Sequence, residues 1–158
     1  MTYLLLKYLH VIGAAILLGT GAGIAFFMLL AHCTDRPVIV GAVARIVVIA
    51  DFLFTATAVI AQPLTGALLM RELGVPLTEG WVLLSILLYL FTGAFWLPVV
   101  WMQIRMRDLA ELAAVKNEPL PPAYRTLFRW WFAFGFPAFG AVMAIFWLMI
   151  AKPTIEVW

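Results

Sequence analysis

The chain has 158 residues, of which 66% are hydrophobic and only 11% are charged, and its mean hydropathy is +1.08. No soluble domain of this size has that balance, and the continuous apolar runs exclude the alternating strands of a transmembrane barrel. The net charge of +2 is too small to indicate a nucleic-acid partner, and the one cysteine, Cys33, excludes an internal disulfide. The composition predicts an all-α integral membrane protein in contact with the lipid bilayer.

Four apolar segments are each long enough to cross a bilayer, since roughly 20 helical residues suffice at about 1.5 Å rise each. They lie at about 3–31, 38–70, 81–106 and 128–151. Polar or proline-containing breaks separate them, and the consecutive prolines within 117–122 stop the third helix. The sequence therefore predicts a single domain, 1–158, folded as an antiparallel bundle of four membrane-spanning helices.

The basic residues predict the orientation of the chain in its membrane. The side that carries both termini holds only Lys7, Arg71 and Lys152. The first and third connections carry the other seven, namely Arg36, Arg45, Arg105, Arg107, Lys116, Arg125 and Arg129. Because basic residues stay in the cytoplasm, we expect a protein of the bacterial inner membrane with both termini in the periplasm.

His10 is the one histidine that lies inside a predicted span, about two turns from its start. An ionisable residue inside a span costs free energy and marks a candidate functional site. Counting inward from the termini, Gln62 and Tyr89 fall within about a turn of the level of His10, with Lys7 and Arg71 at the rim. Three helices are thus expected to converge on one polar pocket near the outer face.

A neutral imidazole is a suitable axial ligand for haem iron, and Lys7 and Arg71 can pair with haem propionates. His32 shares a helix face with His10 but lies roughly 33 Å away along the helix, so the two cannot bind one iron. The iron of haem b is then either five-coordinate, or it takes a weak second axial ligand or a ligand from a partner chain. A structural, hydrogen-bonded histidine and a quinone site formed by His10, Gln62 and Tyr89 are the alternatives.

A second polar set lies deeper in the predicted bundle. Asp51 and Thr55 begin a stripe at helical spacing that continues through Gln62, and Gln103 lies on one face of the third span. An ionised carboxylate at that depth needs a partner or a proton. Asp51 is therefore expected to make a structural hydrogen bond, to pair with Arg45 or another basic residue, or to handle protons.

The segment from Lys7 to Gly13 has the pattern K-x-L-H-x-x-G, which is similar to the start of several small bacterial membrane families. Over nearly its whole length the chain resembles an uncharacterised four-span family, the predicted integral membrane proteins of domain of unknown function family 2269. The likeness includes the sequences QPLTG at 62–66, WLP at 96–98 and QIRMR at 103–107. The resemblance implies a four-span fold and no particular activity.

More loosely, the same N-terminal pattern looks like the first span of HemJ-type protoporphyrinogen oxidases and of CopD-type copper-resistance proteins. In the HemJ group the matching histidine is implicated in binding haem b, which carries over to His10 alone. This chain has no second intramembrane histidine and no intramembrane lysine in its second or third span. These departures argue against protoporphyrinogen oxidation, and the resemblance leaves haem binding through His10 open.

The sequence predicts a redox-associated membrane subunit that binds haem b through His10 and transfers electrons. We expect it to act as a homodimer or inside a larger respiratory-type complex, and it is not evidently an enzyme on its own. The alternatives are a cofactor-free scaffold or accessory subunit, a quinone-binding protein, and a small-solute or ion permease that uses the stripe from Asp51 to Gln62.

Overall fold

The structure is a computed structural model that describes residues 1–155, and within them it consists of helices and short connections without strands. The elements in chain order are α1 (Thr2–Cys33), α2 (Pro37–Ala50), a π-helical turn (Asp51–Thr55), α3 (Ala56–Leu73), α4 (Gly80–Lys116) and α5 (Pro122–Ala151). The π-turn joins α2 and α3 without a break, so they form one membrane-crossing helix. Four helices are thus long and apolar enough to cross a membrane, which confirms the predicted all-α four-span fold.

Glycine, asparagine and proline set the ends of these helices. Gly74 ends α3 and Asn117 ends α4, both with the positive φ typical of a C-terminal cap (66° and 53°). The prolines that stop α4 also begin the next helix, because Pro122 occupies a first-turn position where no N–H is needed. The helix that contains the fourth span accordingly begins at Pro122, before the predicted start of the span near residue 128.

The helices pack as antiparallel neighbours. We call the end that carries the N-terminus and the α3–α4 connection the terminus side, and the end that carries the α1–α2 and α4–α5 connections the basic side. Helix α4 packs along α5 and against α2, whereas α1 packs mainly against α3 and α2. The main buried cluster lies toward the basic side and contains Met28, Ala31, Val40, Ala44, Met102, Met106, Ala110, Tyr124, Phe128 and Trp131. A smaller cluster of Trp81, Val82 and Leu148 lies at the terminus side.

A close approach of two helices supports the basic half of the bundle. A Cβ atom on Gly41 of α2 would lie 3.1 Å from Cγ and 3.3 Å from the backbone nitrogen of Glu111 on α4. Glu111 also pairs with Arg45, one helical turn further along α2, at 2.9 Å. Arg45 therefore pairs with Glu111 and not with Asp51, so the alternative of an Arg45–Asp51 pair is wrong.

Candidate functional site

A first polar site lies near the terminus side, where α1 and α3 pack together. The Nδ1 atom of the half-buried His10 lies 2.8 Å from Oγ1 of Thr65, and Nε2 of Gln62 donates to the backbone carbonyl of His10 at 2.9 Å. Glycines on each helix make room for the other: a Cβ on Gly13 would overlap the Gln62 amide, and one on Gly66 would lie 3.3 Å from Cε1 of His10. The predicted proximity of His10 and Gln62 is therefore present.

The hydrogen bonds of Thr65 bear on which imidazole nitrogen of His10 carries the proton. The Thr65 hydroxyl has one hydrogen, and the backbone carbonyl of Ala61 lies 2.7 Å from its oxygen as an acceptor. When the hydroxyl donates to Ala61, its oxygen accepts from His10, whose neutral ring then carries its proton on Nδ1. The lone pair of Nε2 is left available to a ligand.

Tyr89 lies on α4 and does not share this cluster, although the sequence placed it at the same level. Its hydroxyl donates to the backbone carbonyl of Val59. That carbonyl has no partner in its own helix, because the residue four positions later is Pro63, which has no N–H. The Tyr89 hydroxyl thus supplies the hydrogen bond that Pro63 cannot donate to the α3 backbone. This bond lies about one turn deeper in the bundle than Gln62.

The two cations expected at the rim lie beyond His10 on the terminus side. Lys7 is exposed on α1 one turn before His10, and its Nζ lies 5.7 Å from the centre of the Tyr3 ring. Arg71 is exposed in the last turn of α3. Within residues 1–155 neither forms an ion pair, so both have their charge available to a ligand.

A second polar site lies in the middle of the bundle and is almost completely buried. Oδ1 of Asp51, which is 3% exposed, accepts a hydrogen bond from Nε1 of Trp96 at 3.3 Å. Gln103 donates through its amide nitrogen to Oδ2 of Asp51 and accepts through its oxygen from Nε1 of Trp131, both at 3.2 Å. The indole of Trp131 can only donate, which fixes this orientation of the Gln103 amide.

This buried network joins three spans around one carboxyl group, because Trp96 and Gln103 belong to α4 and Trp131 to α5. The Oγ1 atom of Thr55, at the end of the π-turn and four residues after Asp51, is also buried. No basic side chain pairs with Asp51 in the part of the chain that the structure describes. The polar residues expected in the inner half, Asp51, Thr55 and Gln103, are therefore close to one another.

The π-turn separates the two polar sites, which the predicted stripe would have put on one face. Asp51 directs its hydrogen bonds to α4 and α5, whereas Gln62 and Thr65 direct theirs to α1. In the π-turn the N–H of Ala56 bonds to the carbonyl of Asp51, five residues back. One extra residue in a turn rotates the following helix by about 100° relative to an unbroken α-helix. The stripe of Asp51, Thr55, Ala58 and Gln62 lies on the buried side of the span, but its two ends contact different neighbouring helices.

His32 lies at the opposite end of α1 from His10. Its ring stacks on Phe128 with 3.7 Å between ring centres and 11° between planes. Among residues 1–155 no three His, Cys, Asp or Glu side chains come together as a metal site would require. His10 is therefore a single potential ligand.

Trp131 is a residue that the sequence-based prediction of polar sites missed, because the fourth span has no titratable side chain between Arg129 and Lys152. A signal was available: an indole N–H inside an apolar helix needs an acceptor, and the amide of Gln103 at a similar depth is one.

A family model described as "Predicted integral membrane protein (DUF2269)" matches residues 4–153 of the chain. Comparison with curated proteins and with solved structures found no match.

Proposed function

Since the chain belongs to the DUF2269 family of predicted integral membrane proteins, a family of unknown function, we propose a function for it from its own polar sites. It is a redox-associated subunit of the bacterial inner membrane, with both termini in the periplasm, that binds haem b through His10. Its role is electron transfer. The observation that carries this proposal is the orientation of the His10 ring.

Histidines that bind metals usually donate their second ring N–H to a neighbouring oxygen, which fixes the tautomer and the ring orientation. His10 is placed for this arrangement, because Nδ1 lies 2.8 Å from the Thr65 hydroxyl and a proton on Nδ1 leaves the lone pair on Nε2. Thr65 is held in turn by the carbonyl of Ala61. The position of the ring is thus set before any ligand binds.

Other residues around His10 suit the same ligand. Gly66 offers no side chain next to the imidazole, which leaves the ring edge close to the α3 backbone. Lys7 and Arg71, exposed on the terminus side, supply positive charge for carboxylate groups such as haem propionates. Haem held in this way supplies one-electron transfer. Because His10 is a single ligand, the iron is five-coordinate or takes a ligand from a second copy or another subunit.

The hydrogen bonds already made in the site favour haem over a quinone. The amide N–H group of Gln62 that lies in the site donates to His10, and the hydroxyl of Tyr89 donates to Val59. A quinone needs donors for its carbonyl oxygens, and both of these are engaged within the protein. The free group at the site is instead the lone pair of His10 Nε2, which suits a metal.

The test is the absorption spectrum of the purified protein after expression with a haem precursor. We expect a Soret band that is absent from His10→Ala and retained in His32→Ala, which removes the histidine at the other end of α1. Thr65→Val, which removes the acceptor for Nδ1–H, should shift the band or lower haem occupancy. A colourless wild-type protein, or a band that persists in His10→Ala, would overturn the proposal. In that case a change in stability or assembly alone in His10→Ala would favour the cofactor-free scaffold.

The buried Asp51 carboxyl favours a second candidate, proton or ion translocation. A carboxyl group in the membrane interior without a basic partner is typical of proton pathways. Asp51→Asn keeps the size of the side chain and removes its ability to exchange a proton. Wild-type protein in liposomes should then conduct protons and the variant should not, whereas equal flux excludes this candidate.

A further inference from the structure

A groove opens at the basic side, between the end of α1 and the start of α5. It has a volume of about 410 Å³ and is lined by His32, Pro122, Arg125, Thr126 and Arg129. The four α5 residues follow one another at helical spacing, so a single face of the first two turns of α5 forms one wall. His32 of α1 forms the other.

The His32 wall is held in place by aromatic side chains. Its ring stacks on Phe128, and its Nδ1 lies 3.4 Å from the hydroxyl of Tyr124, a fully buried side chain. These contacts keep the His32 ring from rotating into the groove. The space beside it is a fixed feature of the packed end of the bundle.

The charge in the groove is positive and only partly balanced. Nη2 of Arg125 donates to both carboxylate oxygens of Asp35, at 3.0 and 3.1 Å, which anchors the guanidinium and leaves its other N–H groups free of that contact. Arg129, one turn further into α5, forms no ion pair among residues 1–155. Thr126 adds a hydroxyl group between them.

We propose that this groove binds a phosphate group through Arg125, Thr126 and Arg129. Guanidinium groups bind phosphate oxygens through pairs of N–H donors, and a hydroxyl completes such a site. The ligand is either the headgroup of an anionic phospholipid or a soluble phosphate compound. Trp130, which follows Arg129 in the chain and is exposed, is the kind of residue found at headgroup level. Basic pockets between membrane helices bind anionic headgroups in this way. This inference is independent of His10 and of haem.

The experiment compares lipid retention by native mass spectrometry, using full-length protein from mixed phosphatidylglycerol and phosphatidylcholine nanodiscs. Arg129→Gln is the test variant, because its side chain supports no ion pair and the fold should survive. Arg105→Gln is the matched control, since Arg105 is also exposed on the basic side and also unpaired among residues 1–155. Circular dichroism verifies that both variants are folded.

We expect the wild type to retain phosphatidylglycerol in preference to phosphatidylcholine. Arg129→Gln should lower that preference about fivefold, and Arg105→Gln should leave it unchanged. Inorganic phosphate is then added against sodium chloride of equal ionic strength. Displacement of the lipid by phosphate identifies the phosphate group alone as the ligand, and resistance to displacement identifies the whole lipid. Equal losses in the two variants overturn the proposal, and so does a wild type that prefers neither phosphatidylglycerol over phosphatidylcholine nor inorganic phosphate over chloride.

Discussion

The hydrogen bond from Tyr89 to Val59 can be tested as a repair of the helix at Pro63. Removing the hydroxyl with Tyr89→Phe leaves the Val59 carbonyl without a partner inside the bilayer. An unsatisfied buried polar group costs about 1–3 kcal/mol, but hydrogen bonds between membrane helices average only about 0.6 and reach about 1.7 kcal/mol. We therefore expect Tyr89→Phe to lower the free energy of unfolding by about 1 kcal/mol.

The same loss should vanish when the proline is removed. In Pro63→Ala the new alanine has an N–H that bonds the Val59 carbonyl, so the tyrosine hydroxyl is no longer needed there. Tyr89→Phe should then cost close to zero, which gives a coupling of about 1 kcal/mol in the double-mutant cycle. The matched control is Pro98→Ala. It removes another proline from the interior of a helix, but the Tyr89 hydroxyl does not bond the carbonyl which that proline leaves free.

The measurement is unfolding of the purified protein in mixed micelles with increasing dodecyl sulfate, followed by far-ultraviolet circular dichroism. The four proteins of each cycle are compared at one protein and lipid composition. If Tyr89→Phe costs the same in the Pro63→Ala background as in the wild type, the hydroxyl does not compensate for the proline. If the Pro98→Ala cycle shows equal coupling, the effect is a general loosening of the bundle and the reasoning fails.

Two further predictions use the same unfolding assay. Gln103→Leu should cost about 1–3 kcal/mol because it leaves buried polar groups unpaired. Gln62→Leu removes one bond to a helix carbonyl that is already bonded and should cost about 0.6 kcal/mol. Equal costs would argue against the buried network. Gly41→Val should cost about 1–3 kcal/mol by pressing on the backbone of Glu111, and Gly19→Val, where a Cβ meets no neighbour, should stay within about 1 kcal/mol of the wild type. Similar stability of the two valine variants would show that α2 and α4 can separate freely at that point.

The four-span fold was predictable because each feature that sets it is local in the sequence. Apolar length identifies the spans, and residues such as Gly74 and Pro122 mark where helices end and begin. The contact of His10 with Gln62 was also predictable, since antiparallel helices with short connections bring equal depths together. These inferences need only periodicity and counting.

The hydrogen-bond pairing inside the bundle was not predictable in the same way. The partner of Tyr89 is a backbone carbonyl that Pro63 leaves free, and no side chain at Val59 indicates it. The π-turn at Asp51–Thr55 has no residue pattern that distinguishes it from α-helix, yet it decides which spans Asp51 meets. Arg45 pairs with Glu111 because α2 lies along α4, a choice of neighbours that the sequence leaves open.

The π-turn makes the exact length of the second span important for this architecture. Its one additional residue sets the rotation of α3 about the helix axis relative to α2. Loss of a residue changes that rotation, and no choice of side chains restores it. A one-residue deletion between Asp51 and Thr55 removes one of three apolar residues, leaves the span apolar, and still turns Thr65 away from His10. The length of the π-turn, and not only its composition, therefore decides whether Thr65 can hold the imidazole.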